Sequence, residues 1–214
     1  MFWPAKLRSI AAVPRRTRPP FEWLYHCEGS AILEFAVTIP LLVVFVVGIF
    51  DFSGAFNQKQ KIEQAAQEGA IVAGAQPTSD IYVGSANPPS LQPVVAAVFN
   101  SLAGAGVLPL ASSSGNCSLS PAPTGVETTG LLIWTYTISG CANGTSASDQ
   151  LTITINRGWV VAGSNTAPSV VGTSVAVSFP YHWRFNSVIQ VLIPGASYQA
   201  ITNVTETAYV HNQM

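Results

Sequence analysis

The sequence predicts an α+β protein: a long N-terminal transmembrane and amphipathic helix, then a short helix, then a small antiparallel β-sheet domain. Three observations predict it. Residues 35–50 carry no charge and are closed by Asp51. From residue 52 the apolar positions thin to a spacing of three and four, the mark of an amphipathic helix. Beyond residue 130 short runs such as Leu151-Thr152-Ile153-Thr154-Ile155 alternate with period two, as half-buried strands do.

At 214 residues the chain holds one sizeable domain and an anchor. Only 9% of residues are charged, and the mean hydropathy of +0.35 is too apolar for an ordinary soluble enzyme of this size. The net charge of −1 conceals an asymmetry. Lys6, Arg8, Arg15, Arg16 and Arg18 precede Gly29, against Glu22 and Glu28, whereas the remainder is acidic. Basic residues this few, beside an apolar segment, do not form a nucleic-acid footprint.

Residues 1–29 read as a cytoplasmic leader. The cluster at Arg15, Arg16 and Arg18 lies within the ~15–20 residues over which the positive-inside rule acts. On the far side of the apolar run only Lys59 and Lys61 are near. This bias places the N-terminus in the cytoplasm and the C-terminal part outside it. Pro4, Pro14, Pro19 and Pro20 oppose a stable helix in the leader. A secretory signal peptide has its apolar region before the cleavage site. Here Gly29 precedes that region, so a cut would leave the helix on the mature protein.

The apolar residues 35–50 rise about 24 Å as a helix, a little short of a hydrocarbon core of about 30 Å. Residues 30–33 and 52–56 lengthen the span if Glu34 and Asp51 sit near its edges. The helix continues with Phe52, Phe56, Ile62, Ala66, Gly69 or Ala70, and Ala73 as its apolar face, and Gly74 and Pro77 end it. As one helix, residues 30–75 would be about 69 Å long. Pro40 removes one backbone hydrogen bond inside the apolar part and predicts a kink.

Glu34 is the informative charge. A carboxylate deep in lipid costs about 2.5–3.5 kcal/mol or more on insertion scales, so one found there has a partner or a task, unless it rests solvated among headgroups. Gly29, four residues, then Glu34-Phe35 and an apolar helix resemble the cleavage site and mature N-terminus of type IV prepilin-like proteins. The longer string GSAILEFAVTIPLLVVFVVGIFDF, followed by QKIEQAAQEGA, resembles the TadE-like family, minor pseudopilins of tight-adherence pilus systems. The likeness is close over residues 29–75 and loose beyond. The leader departs from the family's usual look in its length and in Cys27-Glu28 beside the glycine.

The resemblance implies a protein of the bacterial inner membrane, cut between Gly29 and Ser30 by a prepilin peptidase. It implies partners among membrane lipid, other pilins and pilus-assembly proteins, and a minor part in building adhesive pili. Glu34 would neutralise the freed amine of Ser30 on its own or a neighbouring subunit. The alternative is an unprocessed single-span anchor whose extracytoplasmic domain binds a ligand or an envelope partner. Such an anchor has no new amine and no need of Glu34.

The chain thus divides into a leader (1–29), a transmembrane and amphipathic helix (30–76) and an extracytoplasmic α+β domain (77–214). In the last part residues 77–89 form a loop by composition. Ser90 is placed to cap a short helix with Pro93 in its first turn. Leu91, Val94, Val95, Val98 and Leu102 make its apolar stripe, packed on a sheet, and residues 104–106 stop it. Strands are expected at 131–138, 151–155, 175–179 and 201–210, with loops at 112–125, 139–149 and 162–173.

Cys117 and Cys141 both fall outside the cytoplasm in this orientation, and Cys27 alone falls inside. A bond between the outer pair would close a loop of about 25 residues and add about 3 kcal/mol in the chain-entropy model. Three free thiols remain the other option. No Cys-x-x-Cys pair or His cluster suggests a metal. His26, His182 and His211 are scattered, and no nucleophile elbow, P-loop or dinucleotide fingerprint is present. The sequence therefore reads as a structural protein, not an enzyme, with no cofactor.

Overall fold

The computed structural model describes residues 30–82, 84–85, 87–108, 117–120, 122–128, 131–141, 150–161, 170–183, 185 and 201–213. The leader, with Gly29 and Cys27, lies outside the described residues, as do residues 112–116, 121, 142–149 and 162–169 of the expected loops. The chain forms two compact units, Met1–Val43 and Val44–Met214.

Helix α1 runs over Ser30–Ala75, with Pro40 inside it. A short 3-10 turn, Pro89–Leu91, leads into α2, Gln92–Gly104. Five strands follow: β1 Val126–Thr128, β2 Ile133–Ile138, β3 Leu151–Val161, β4 Val170–His182 and β5 Ile201–His211. They form one sheet in the order β1-β2-β3-β4-β5, with every neighbouring pair antiparallel. The fold is therefore α+β, as the sequence predicts.

Period-two alternation explains the sheet. Trp134, Tyr136 and Ile138 of β2, Leu151, Ile153 and Ile155 of β3, and Val175, Val177 and Phe179 of β4 are buried on one face. Register pairs these inward rows directly, with Trp134 opposite Ile155 and Ile153 opposite Val177. The predicted stripe of α2 closes over them, since Leu91, Val94, Val95, Val98 and Leu102 are all buried. Burying each such side chain contributes about 1.5–3 kcal/mol. Helix α1 adds Ile62, Ala65, Ala66, Ala70 and Ala73 to the same core.

The structure corrects the sequence reading at four places. Phe52 and Phe56 do not join the head-facing stripe of α1; they are exposed. The inward line passes instead through Asp51, Gln58 and Ile62, so polar residues hold positions that a search for apolar side chains skips. Ser90 is not the cap of α2. The N-cap is Leu91, without a side-chain bond, while the Ser90 N–H donates to Asp80 Oδ2 at 2.8 Å. The expected loop at 162–173 overlaps β4, which begins at Val170. Finally, β1 lies just past the expected 112–125 connection, a strand of three residues too short for alternation to register.

Candidate functional site

The front unit carries the Glu34 motif. Ser30 opens α1, and Glu34 and Phe35 lie exposed in its early turns. Thr38 Oγ1 donates to the Phe35 carbonyl at 3.1 Å, two residues before Pro40. Pro40 brings no N–H to the carbonyl of Ala36. Large side chains including Ile32, Leu33, Val37 and Leu41 are all exposed. The window of highest hydropathy in α1 averages 2.6, and none of it is buried in the protein. A helix this apolar and this bare has the length and composition of a membrane span.

In the second unit α1 is fastened to the sheet at two polar points. The first is Asp51, 5% exposed. Tyr181 Oη, from the end of β4, donates to its carbonyl oxygen at 3.0 Å and to Oδ1 at 3.2 Å. The Phe185 N–H donates to Oδ2 at 2.7 Å. Both carboxylate oxygens are thereby engaged, which a buried charge requires. Gly54 makes room for this grip, because a Cβ there would stand 2.7 Å from Tyr181 Oη. One turn on, Gln58 Nε2 donates to the Pro180 carbonyl at 3.3 Å, and farther along Lys59 meets Glu206 of β5 at 3.3 Å.

The second point is Arg157 of β3, 3% exposed. Its Nη1 donates to the Ala73 carbonyl and, at 3.1 Å, to Thr173 Oγ1. Its Nη2 reaches the carbonyls of Gln76 at 3.0 Å and Pro77 at 3.4 Å. The last carbonyls of a helix lack intrahelical partners and sit at the negative end of its dipole, so a guanidinium caps them well. Burial pulls Arg157 below its ordinary pKa, and attraction to Asp80 opposes that pull. Asp80 is held below the usual carboxylate value: burial pushes it up, but bonds from Ser90 and the charge of Arg157 outweigh burial. Burial, then the charge of Asp80, pushes the Tyr136 phenol up to about 12.

The loop between the helices is stitched to β1 and β2. Trp134 Nε1 donates to the Ser85 carbonyl at 2.7 Å, and the Gly84 N–H to Glu127 Oε2 at 2.6 Å. Cys117 and Cys141 stand at disulfide distance, with Cα atoms 4.5 Å apart. A cleft of about 920 Å³ opens beside Asp51, lined by Ser53, Asn57, Lys61, Leu108, Tyr181 and Trp183 among others. Among the described residues no three His, Cys, Asp or Glu side chains gather to hold a metal ion.

Sequence reasoning singles out Glu34, Pro40 and the cysteines but not the two fasteners, Asp51 and Arg157. Asp51 read as the charge that ends an apolar run. Arg157 was passed over, although a lone arginine in a strand of otherwise neutral residues is itself a signal of a buried partner.

A bare apolar helix of spanning length that continues into an α+β head is compatible with one class: proteins carried on an N-terminal membrane-anchor helix. Within that class, residues 29–70 match the family model described as TadE-like protein. No curated protein and no solved structure matches the chain. The family match covers the Glu34 motif, the apolar helix and most of its amphipathic continuation, and it implies an association with tight-adherence pili through a membrane-anchor helix.

Proposed function

We propose that the chain is a minor pseudopilin of a tight-adherence pilus system. It inserts in the bacterial inner membrane with its N-terminus in the cytoplasm and its α+β head outside. A prepilin peptidase cuts it between Gly29 and Ser30, and the processed chain joins other pilins or assembly proteins as a structural component without catalytic activity of its own. The observation that carries this reading is Glu34, five residues after a glycine, at the start of an exposed apolar helix inside the family-matched segment.

The chemistry follows from the cut. Cleavage frees the amine of Ser30, a cation at the head of an apolar helix. A carboxylate one turn on, or on a neighbouring subunit, pairs with it, and the pairing is stronger in a low-dielectric bundle than in water. The basic leader holds the cut site on the cytoplasmic side. The cysteine pair suits an oxidising exterior.

Glu34→Gln tests the assignment. The change removes the charge and keeps the size, so insertion persists or improves. The variant should reach the membrane at normal level, be cut at least in part, and leave cells poor in pili. Normal piliation at normal protein level would make Glu34 an interfacial carboxylate and favour the unprocessed anchor.

A further inference from the structure

The apolar face of α1 does not end at Asp51. That side chain turns inward and is satisfied by Tyr181 and Phe185, so it presents no charge outward. The outward stripe continues through Phe45, Ile49, Phe52 and Phe56, at intervals of four, three and four, all exposed. The polar residues of the same turns lie elsewhere: Ser53 and Asn57 border the cleft. Lys59 is the first outward charge. Residues 35–56 rise about 33 Å, which matches a hydrocarbon core of about 30 Å where residues 35–50 fall short.

The head meets this extended stripe with aromatic side chains. Trp183, at the end of β4, stands edge-on to Phe52 with ring centroids 5.4 Å apart. Tyr181 stands edge-on to Trp183 at 5.0 Å. The Trp183 indole N–H is engaged by Thr202 Oγ1 at 2.8 Å, leaving a half-buried ring with a satisfied polar edge. Tryptophan and tyrosine with one apolar and one polar side concentrate at headgroup level.

The geometry points to a lipid-contact surface on the head: the Phe52, Phe56, Tyr181 and Trp183 cluster sits in the headgroup layer, and the membrane boundary falls between Phe56 and Lys59. The surface takes the bilayer interface as its partner because it is continuous with the bare apolar helix, and among the described residues α1 turns no charge outward from Phe35 until Lys59. Asp51 is the device that permits this, a charge consumed by the head so that the span can lengthen. The inference rests on the membrane-anchor part of the proposed function and not on cleavage at Gly29.

Depth-dependent quenching tests it. The full chain is reconstituted in vesicles of phosphatidylethanolamine and phosphatidylglycerol carrying a doxyl quencher either near the headgroup or near the chain terminus. The emission of Trp183 is the difference between the parent and Trp183→Phe, and that of Trp159 is obtained likewise. Phe45→Trp reports on the span itself. The inference predicts that the shallow quencher dims Trp183 several-fold more than the deep one does, that neither dims Trp159, and that the deep quencher dims Phe45→Trp. A Trp183 as indifferent as Trp159, with Phe45→Trp still dimmed, overturns the lipid contact and leaves Phe52 and Phe56 to a neighbouring helix. An undimmed Phe45→Trp overturns the membrane-anchor reading and the inference with it.

Discussion

Over residues 45–56 helix α1 turns its large side chains outward; over residues 62–74 it turns its small ones inward. Phe45, Ile49, Phe50, Phe52 and Phe56 are exposed, while Ala65, Ala66, Ala70 and Ala73 are buried almost completely. The two stretches belong to one helix, yet hydrophobicity means different things in them. In the first, apolar bulk stays largely uncovered by protein, with Phe52 touching the head at the Trp183 ring, and suits lipid. In the second, smallness lets α2 and the sheet approach the helix backbone closely. A Cβ at Gly69 would lie 2.4 Å from Val98 Cγ2 and 3.3 Å from Val175 Cγ1. At Gly48, in the first stretch, a Cβ meets nothing within 4 Å.

The widest test of this contrast is a pair of glycine substitutions. Gly69→Leu forces bulk between α2 and β4 and should destabilise the head by about 3 kcal/mol, more than any helix-propensity gain returns. Gly48→Ala should leave stability unchanged or slightly raised. Thermal unfolding in detergent, followed by protease resistance of the head, measures both. Equal effects at the two positions would erase the distinction.

The next effect comes from the covalent pin. Replacing Cys117 and Cys141 together by serine should lower head stability by about 3 kcal/mol, with the exposed stretch of α1 untouched. Non-reducing peptide mapping should find the two cysteines joined in protein taken from outside the cytoplasm. Arg157→Met is expected to cost about 2 kcal/mol, because the carbonyls of Ala73, Gln76 and Pro77 and the Thr173 hydroxyl lose the guanidinium that ties them to β3. Hydrogen exchange should then show the last turn of α1 opening while its earlier turns stay protected.

The smallest effects follow pH. Asp80 titrates below the ordinary carboxylate value of about 3.9 in the folded head. Its contribution is therefore present above that value and is lost as pH falls through the lowered one. Tyr136 has the opposite sense: its phenol is pushed up to about 12. Stability from keeping it neutral is complete below about 10 and is lost as pH rises toward 12. Emission of the buried Trp134 should report both limbs, and Asp80→Asn should remove the acid limb.

Legibility of the sequence divides along the same line as the helix. Where one physical rule governs, the residues state their structure directly. The uncharged run of 35–50, the three-and-four spacing of Val94, Val95, Val98 and Leu102, and the alternation of Leu151, Ile153 and Ile155 each obey one period, and the elements lie where those periods put them. Where two rules compete, the reading failed. Phe52 looked like core because it is apolar, and Asp51 looked like surface because it is charged. Their places are exchanged because Tyr181 and Phe185, some 130 residues away in sequence, supply the donors that a buried carboxylate needs. No local pattern announces a partner at that distance. Arg157 was missed for the same reason: apart from the Thr173 hydroxyl its acceptors are backbone carbonyls at and just past the end of α1, which carry no side-chain signature.

The central claim is that the chain is cut to leave Ser30 as the first residue of an anchor helix that enters a pilus system. N-terminal sequencing, with intact mass, of protein extracted from the membranes of cells that make pili tests it most directly. The account predicts a chain that starts at Ser30 and lacks the basic leader, and that starts further upstream when Gly29 is replaced by a bulky residue. An intact N-terminus at Met1 in piliated cells would contradict it.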